Sequence, residues 1–393
     1  MIYAKQSYRW VVLTLLWLLY LSFGLVVGSM APLVTPIVED LNISYSQIGL
    51  ILGSWQLVYI LASIWAGNII DRWGEHKSLL LGALIIGLSA SLRYFAQGFG
   101  TLLPMVALLG IGGPMMSVGG PKTISLWFDS KRRGIALGIF MTGTSIGILL
   151  GFSLTNSVVM PITDSSWRVT FLSYGILAFI VGLLWLFLYR DIKSAEISVR
   201  PGVVTVLKQI VKIRNVQFVL LMGLFSFATI HGLMNWLPKI LETSGMSPVL
   251  AGFAASANIL AGIPAVIVLP HVVPSRLRGR LLAIAAFIVA LGLGGLIGLS
   301  GIYQFLCLII LGIAGSSILP VLLLILMDNS GIPVEYVGSA GGVFYCVAEI
   351  GGFLAPLLVG ALFDISGSFL AGILLLVALN IVIIPFTFRL KFM

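Results

Sequence analysis

Along the 393 residues, long apolar stretches alternate with short polar breaks, and the stretches set the length scale. Runs such as "VVLTLLWLLYLSFGLVVG" (11–28) and "LLAIAAFIVALGLGGLIG" (281–298) approach the roughly 20 residues a helix needs to cross bilayer hydrocarbon. They neither stop at strand length nor alternate with period two, which excludes a transmembrane β-barrel. Gly/Pro and polar breaks divide the chain into twelve predicted helices. The first six cover 10–32, 46–70, 78–97, 102–127, 134–158 and 168–189. The last six cover 215–238, 249–270, 280–298, 303–327, 337–361 and 369–388. The expected fold class is an all-α membrane protein.

Composition sharpens this. Apolar residues make up 59% and charged residues 9%, against about 45–50% and 25% in soluble domains, so the solvent is lipid. A net charge of +9 could suggest nucleic acid, but the basic residues sit in the breaks and form no face. All but four of the 22 Lys and Arg fall on one side if the N-terminus is cytoplasmic; the exceptions are Arg93, Lys122, Arg168 and Lys239. Both termini are therefore expected inside. The opening "MIYAKQSYRW" has no small-residue cleavage pattern after it, and the first apolar block reads as a retained span. Cys307 and Cys346 lie within spans, which suggests neither a disulfide framework nor a metal cluster. The Asn42-Ile43-Ser44 triplet fits a glycosylation pattern that often arises by chance.

Residues 190–214, "RDIKSAEISVRPGVVTVLKQIVKIR", form the longest polar connection and the expected cytoplasmic linker between bundles 1–189 and 215–393. The two parts share a repeat. "RRGIALGIFMTGTSIG" matches "YVGSAGGVFYCVAEIG" at an offset of 204, pairing Gly134 with Gly338, Gly138 with Gly342, Phe140 with Phe344, and Ile146-Gly147 with Ile350-Gly351. "LLGIGG" (108–113) matches "ILGIAG" (310–315) at an offset of 202. Two pseudo-symmetric six-helix bundles related by an axis along the membrane normal are an architecture of secondary transporters.

The scarce charges gather in "GNIIDRWGEHKSLLLG" (67–82), between the second and third helices. Gly67, Asp71, Arg72 and Gly74 there resemble the G-x-x-x-D-R-x-G-R-[KR] motif of the major facilitator superfamily. "SSWRVTFL" looks like that family's entry to helix 6, and "APLLVGALFDISG" like its exit from helix 11. Two features depart from the pattern: Glu75 stands where a basic residue is usual, and "LPHVVPSRLRGRLLA" in the second part lacks the aspartate. The resemblance implies that Asp71 faces the N-terminus of helix 11, where the helix dipole favours an anion. It also implies that Arg72 reaches an acid at the inner end of helix 4, for which Asp129 is the candidate, so that the turn gates the cytoplasmic seam.

Ionisable groups within spans are candidates for function. Glu349 lies about 12 residues into helix 11, roughly 18 Å deep, where a carboxyl can carry a proton or serve as a structural ion-pair member. Lys122 lies on helix 4, which the resemblance makes cavity-lining; it either snorkels or receives an anionic substrate. His231 and Asn235 share a face of helix 7, with Trp236 beside them. Tyr59, Gln56, Asn258 and Tyr345 are further lining candidates. Arg93 is expected to snorkel or brace the following loop. Gly143, Gly147 and Gly151 have small-xxx-small spacing for close helix packing. No Walker-type phosphate loop occurs, so ATP drive and other cofactors are not expected.

The resulting expectation is a multi-pass protein of the plasma or inner membrane, monomeric, working by alternating access without chemistry on its substrate. Proton-coupled transport of a small anion is the first reading. "GGPKTISLWFDSKRRGIALGIF" is loosely similar to helices 4–5 of cyanate, nitrate and organic-anion porters, although the arginines that nitrate porters carry in helices 2 and 8 are missing. The alternatives are a proton-coupled exporter of drugs or metabolites, and a carrier of a cationic or zwitterionic substrate using Glu349 as counter-charge. An intramembrane enzyme would need a paired acid, metal set or nucleophile at membrane depth, and a transport-dead sensor would need a soluble extension.

Overall fold

The computed structural model describes residues 2–190, 210–329, 331–332 and 337–390. Within them the backbone is helical and no strand occurs, as lipid demands of a chain whose polar backbone groups must be satisfied internally. Eleven helical stretches are long and apolar enough to cross a membrane. One of them, Tyr45–Phe95, runs for 51 residues and is broken at Gly74, where φ is 79° and ψ 166°. That left-handed backbone suits glycine, and a Cβ there would meet open space, so the constraint is conformational. Counting the two limbs separately gives twelve crossings among the described residues.

In chain order these are α1 (Ile2–Gly28), α2 and α3 (45–73 and 75–92), α4 (Phe99–Trp127), α5 (Ser130–Leu154) and α6 (Trp167–Leu188). They are followed by α7 (Arg214–Thr243), α8 (Pro248–Val272), α9 (Arg278–Gly298), α10 (Gly301–Met327), α11 (Val337–Ser366) and α12 (Leu370–Thr387). Two caps fix entries in the first part. The Asp129 carboxylate accepts from the Arg132 amide to open α5, and the Ser166 hydroxyl accepts from Val169 to open α6.

The contacts divide the chain into two units, residues 1–43 with 54–198, and 44–53 with 199–393. Residues 44–53, the first turns of α2, thus group with the second unit. Most of the expected linker, 191–209, lies outside the described residues.

Each unit packs its helices in the same pairs, α1 on α5 and α7 on α11, then α2 on α4 and α8 on α10. The repeat supplies the reason. Gly147 lies so close to α1 that a Cβ would collide with the Leu21 carbonyl, and its repeat partner Gly351 stands likewise against the Leu224 carbonyl of α7. Gly110 abuts the Trp55 carbonyl of α2, as Gly312 abuts the Asn258 carbonyl of α8. Backbones come together only where a side chain is missing, so glycines set which helices pair.

Within the second unit, Asp364 near the end of α11 accepts from the amides of Tyr45 (2.9 Å) and Ser46 (2.7 Å) at the start of α2. A carboxylate there meets free N–H groups and the positive end of the helix dipole.

Candidate functional site

A buried polar cluster lies between α7 and α11. Glu349 and His231 are 6% and 8% exposed, and their Oε2 and Nε2 atoms stand 3.8 Å apart. The Phe227 ring lies 5.5 Å from the imidazole and 6.0 Å from the ring of half-buried Tyr345. Asn235, one turn beyond His231, donates from Nδ2 to the His231 carbonyl at 2.9 Å. Helical spacing puts 227, 231 and 235 on one stripe of α7, and Gly351 lets α11 approach closely enough for Glu349 to reach it.

Gly352 makes room for the pair. A Cβ at 352 would stand 2.8 Å from Glu349 Oε2 and 2.9 Å from His231 Cδ2. The sequence reading passed over this residue; a glycine three positions after an intramembrane acid was the available signal. A carboxyl and an imidazole nearly in contact, shielded from water, can exchange or hold a proton, and a buried charge there requires its partner.

Trp236, an expected lining residue, packs into the helix contact. It is fully buried, donates to the Pro356 carbonyl at 2.9 Å and packs against Tyr45 and Phe369, which anchors α7 on α11. Asn258, another expected lining residue, donates to the Leu308 carbonyl of α10 at 2.8 Å. Gln56 is 0% exposed. In the first unit the Tyr59 hydroxyl bonds Ser117 at 2.7 Å, next to an aromatic row of Trp55, Phe23, Tyr20 and Phe140. Arg93 does not snorkel. It is 0% exposed, 4.8 Å from the Phe171 ring, and Nη2 donates to Ser89 at 3.3 Å.

At the 67–77 turn the charges pair differently from expectation. Lys122, expected to meet substrate, reaches Asp71 at 2.8 Å and Glu75 at 3.0 Å, with the Ile70 carbonyl at 3.4 Å. Three acceptors thus surround an ammonium that has three protons. Glu75 is 5% exposed, and a buried carboxylate needs a cation. Asp129 pairs with Arg9 at 3.7 Å while it caps α5, and among the described residues no ion pair joins it to exposed Arg72. The cause is local: α1 brings Arg9 to the α4–α5 corner. Residues 333–336, the approach to helix 11 that Asp71 is expected to face, lie outside the described residues. Gly67 has open space around it, and Gly74 makes the bend. Among the described residues no group of three or more His, Cys, Asp or Glu side chains could hold a metal.

A family model described as Major Facilitator Superfamily matches residues 16–356. The chain is 28% identical over 382 residues to an uncharacterized transporter, YycB, of Bacillus subtilis (strain 168), covering 93% of this chain and 90% of that protein. It is 24% identical over 366 residues to a hexuronate transporter of the same organism, covering 86% and 84%. Among solved structures, a bacterial homolog of the human lysosomal transporter Spinster, inward-facing and unoccupied, superposes with a TM-score of 0.76 at 18% identity. That likeness covers 98% of this chain and 97% of the other.

Proposed function

We propose that the chain, which belongs to the Major Facilitator Superfamily and is a multi-pass membrane transporter, carries a small organic anion together with protons by alternating access. The observation that carries the reading is the buried Glu349–His231 pair. A second carboxylate brought beside an ionised Glu349 is repelled by it, and protonation removes the repulsion. Substrate anion and proton therefore enter the site together, which is symport. Glu349 holds the proton, His231 and Asn235 supply polar contacts, and Tyr345 with Tyr59 offers hydroxyls and ring faces. The hexuronate transporter among the relatives points to sugar acids as the anion class. Gly67, Asp71, Arg72, Gly74 and Asp129 form the hinge and charge set of the gating turn, on the cytoplasmic side with both termini. The protein acts as a monomer in the cell membrane.

A second reading is favoured by Lys122, whose charge is taken up by Asp71 and Glu75. With that cation engaged, Glu349 serves equally as counter-charge for a cationic or zwitterionic substrate, or drives export by proton exchange. Purified protein in vesicles separates the two. Uptake of D-galacturonate driven by an inward proton gradient supports anion symport; substrate efflux driven by that gradient supports exchange.

A further inference from the structure

Each unit turns sharply after its second helix, and in each the turn is tied by an ion pair to the end of that unit's fourth helix. In the first unit the turn supplies the acids and the helix the base: Asp71 and Glu75 hold Lys122 of α4. In the second the polarity is reversed. Arg278, which opens α9 after the turn, pairs with Asp328, the cap residue that ends α10. The two ties join the same elements without falling at repeat-equivalent positions: the repeat that aligns Gly110 with Gly312 and Gly147 with Gly351 uses offsets of 202 and 204, whereas Asp71 to Arg278 and Lys122 to Asp328 are separated by 207 and 206. Neither unit keeps the other's charges, yet both keep an ion pair between the same two elements.

Burial gives the contact its force. The Glu75 side chain is 7% exposed and that of Arg278 is 12%, so removing Lys122 from the first or Asp328 from the second strands a charge with little water to solvate it. Around Lys122, Asp71, Glu75 and the Ile70 carbonyl use all three donors, which leaves no proton for a substrate carboxylate.

We propose that the two ion pairs are matched braces of opposite polarity, each fixing the sharp turn to the fourth helix inside one unit, and that Lys122 is a positioning residue of the first brace with no contact to substrate. The braces stiffen each unit at the turn between its second and third helices. The proposal rests on the transport reading only for one of its two readouts.

The test inverts the first brace to the polarity of the second. Asp71→Arg combined with Lys122→Asp leaves one base and two acids, Glu75 included, at the turn. In full-length protein, each single variant is expected to lower the unfolding midpoint by roughly 3 °C or more. Each is also expected to slow D-galacturonate uptake at least tenfold, and the double variant to return both to within threefold or 1 °C of the parent. KM for D-galacturonate stays unchanged throughout. A folded double variant no better than the worse single variant overturns the brace, and a KM raised tenfold wherever Lys122 is absent restores Lys122 to the substrate site. If the inverted single variants do not fold, Lys122→Arg and Lys122→Met decide. The arginine variant is expected to keep the parent midpoint and the methionine variant to lose it, and equal midpoints overturn the proposal. If D-galacturonate is not carried by the parent, the transport reading fails while the midpoints still decide the brace.

Discussion

Glu349→Gln is the most informative single change, because it holds the site in the equivalent of its protonated state while keeping shape and hydrogen-bonding capacity. A substrate carboxylate placed as near to Glu349 as His231 is, 3.8 Å, meets a like charge. At an effective dielectric near 20 the repulsion is about 4 kcal/mol, or roughly a thousandfold in affinity at about 1.4 kcal/mol per factor of ten. On the proposed reading, an ionised Glu349 excludes the anion and a neutral one admits it. The glutamine variant should bind D-galacturonate at any pH and carry it across in both directions without a proton. Counterflow of labelled D-galacturonate in proteoliposomes is expected to persist. Accumulation against a gradient is expected to vanish, since one pH unit per proton is worth about 1.4 kcal/mol and supports a tenfold ratio only if the proton travels with the substrate. A folded variant that still accumulates tenfold, or one that loses counterflow along with accumulation, refutes the reasoning.

Other outcomes follow from the packing. Gly352→Ala inserts a methyl 2.8 Å from Glu349 Oε2 and is expected to displace the pair, cutting gradient-driven uptake more strongly than it lowers the unfolding midpoint; parallel measurement of both checks this. Gly147→Ala and Gly351→Ala, at repeat-related crossings, should each destabilise by about 1–3 kcal/mol, read as similar falls in midpoint. Asp364→Ala removes the acceptor for two amides at the start of α2 and should cost about 1 kcal/mol, with Asp364→Asn intermediate in the same melts. Arg93→Met replaces a buried guanidinium with an apolar chain of similar length; the midpoint is expected to stay level or rise, and a marked fall would assign Arg93 an essential partner.

The crossings were legible because lipid imposes one rule on every span, and apolar length alone carries it. The repeat was legible for a related reason. Gly147 with Gly351, and Gly110 with Gly312, are fixed by backbone contact, so their spacing survives where side chains have diverged. Side-chain partners were not legible in the same way. Lys122 in sequence is a lone cation in an apolar helix, and only the fold brings the 71–75 turn within 3 Å of it. The departure at Glu75 was visible as an oddity, and its meaning required knowing what faced it. Asp129 was matched to Arg72 by analogy of position, whereas α1 delivers Arg9 to the same corner from 120 positions away. Trp236 and Asn258 sat correctly on helices near the candidate site but on faces that sequence periodicity resolves poorly in spans apolar all round. His231 and Glu349 were singled out separately, and their meeting depends on Gly351 and Gly352, whose role is to be absent as side chains.

The central claim is that an anion and a proton cross together through the site around Glu349. It is tested most directly by adding D-galacturonate outside proteoliposomes that enclose a pH-sensitive dye, with no gradient imposed. Lumenal acidification with the parent protein and none with Glu349→Gln is the predicted result. D-galacturonate entry without a pH change, or with alkalinisation, would contradict it.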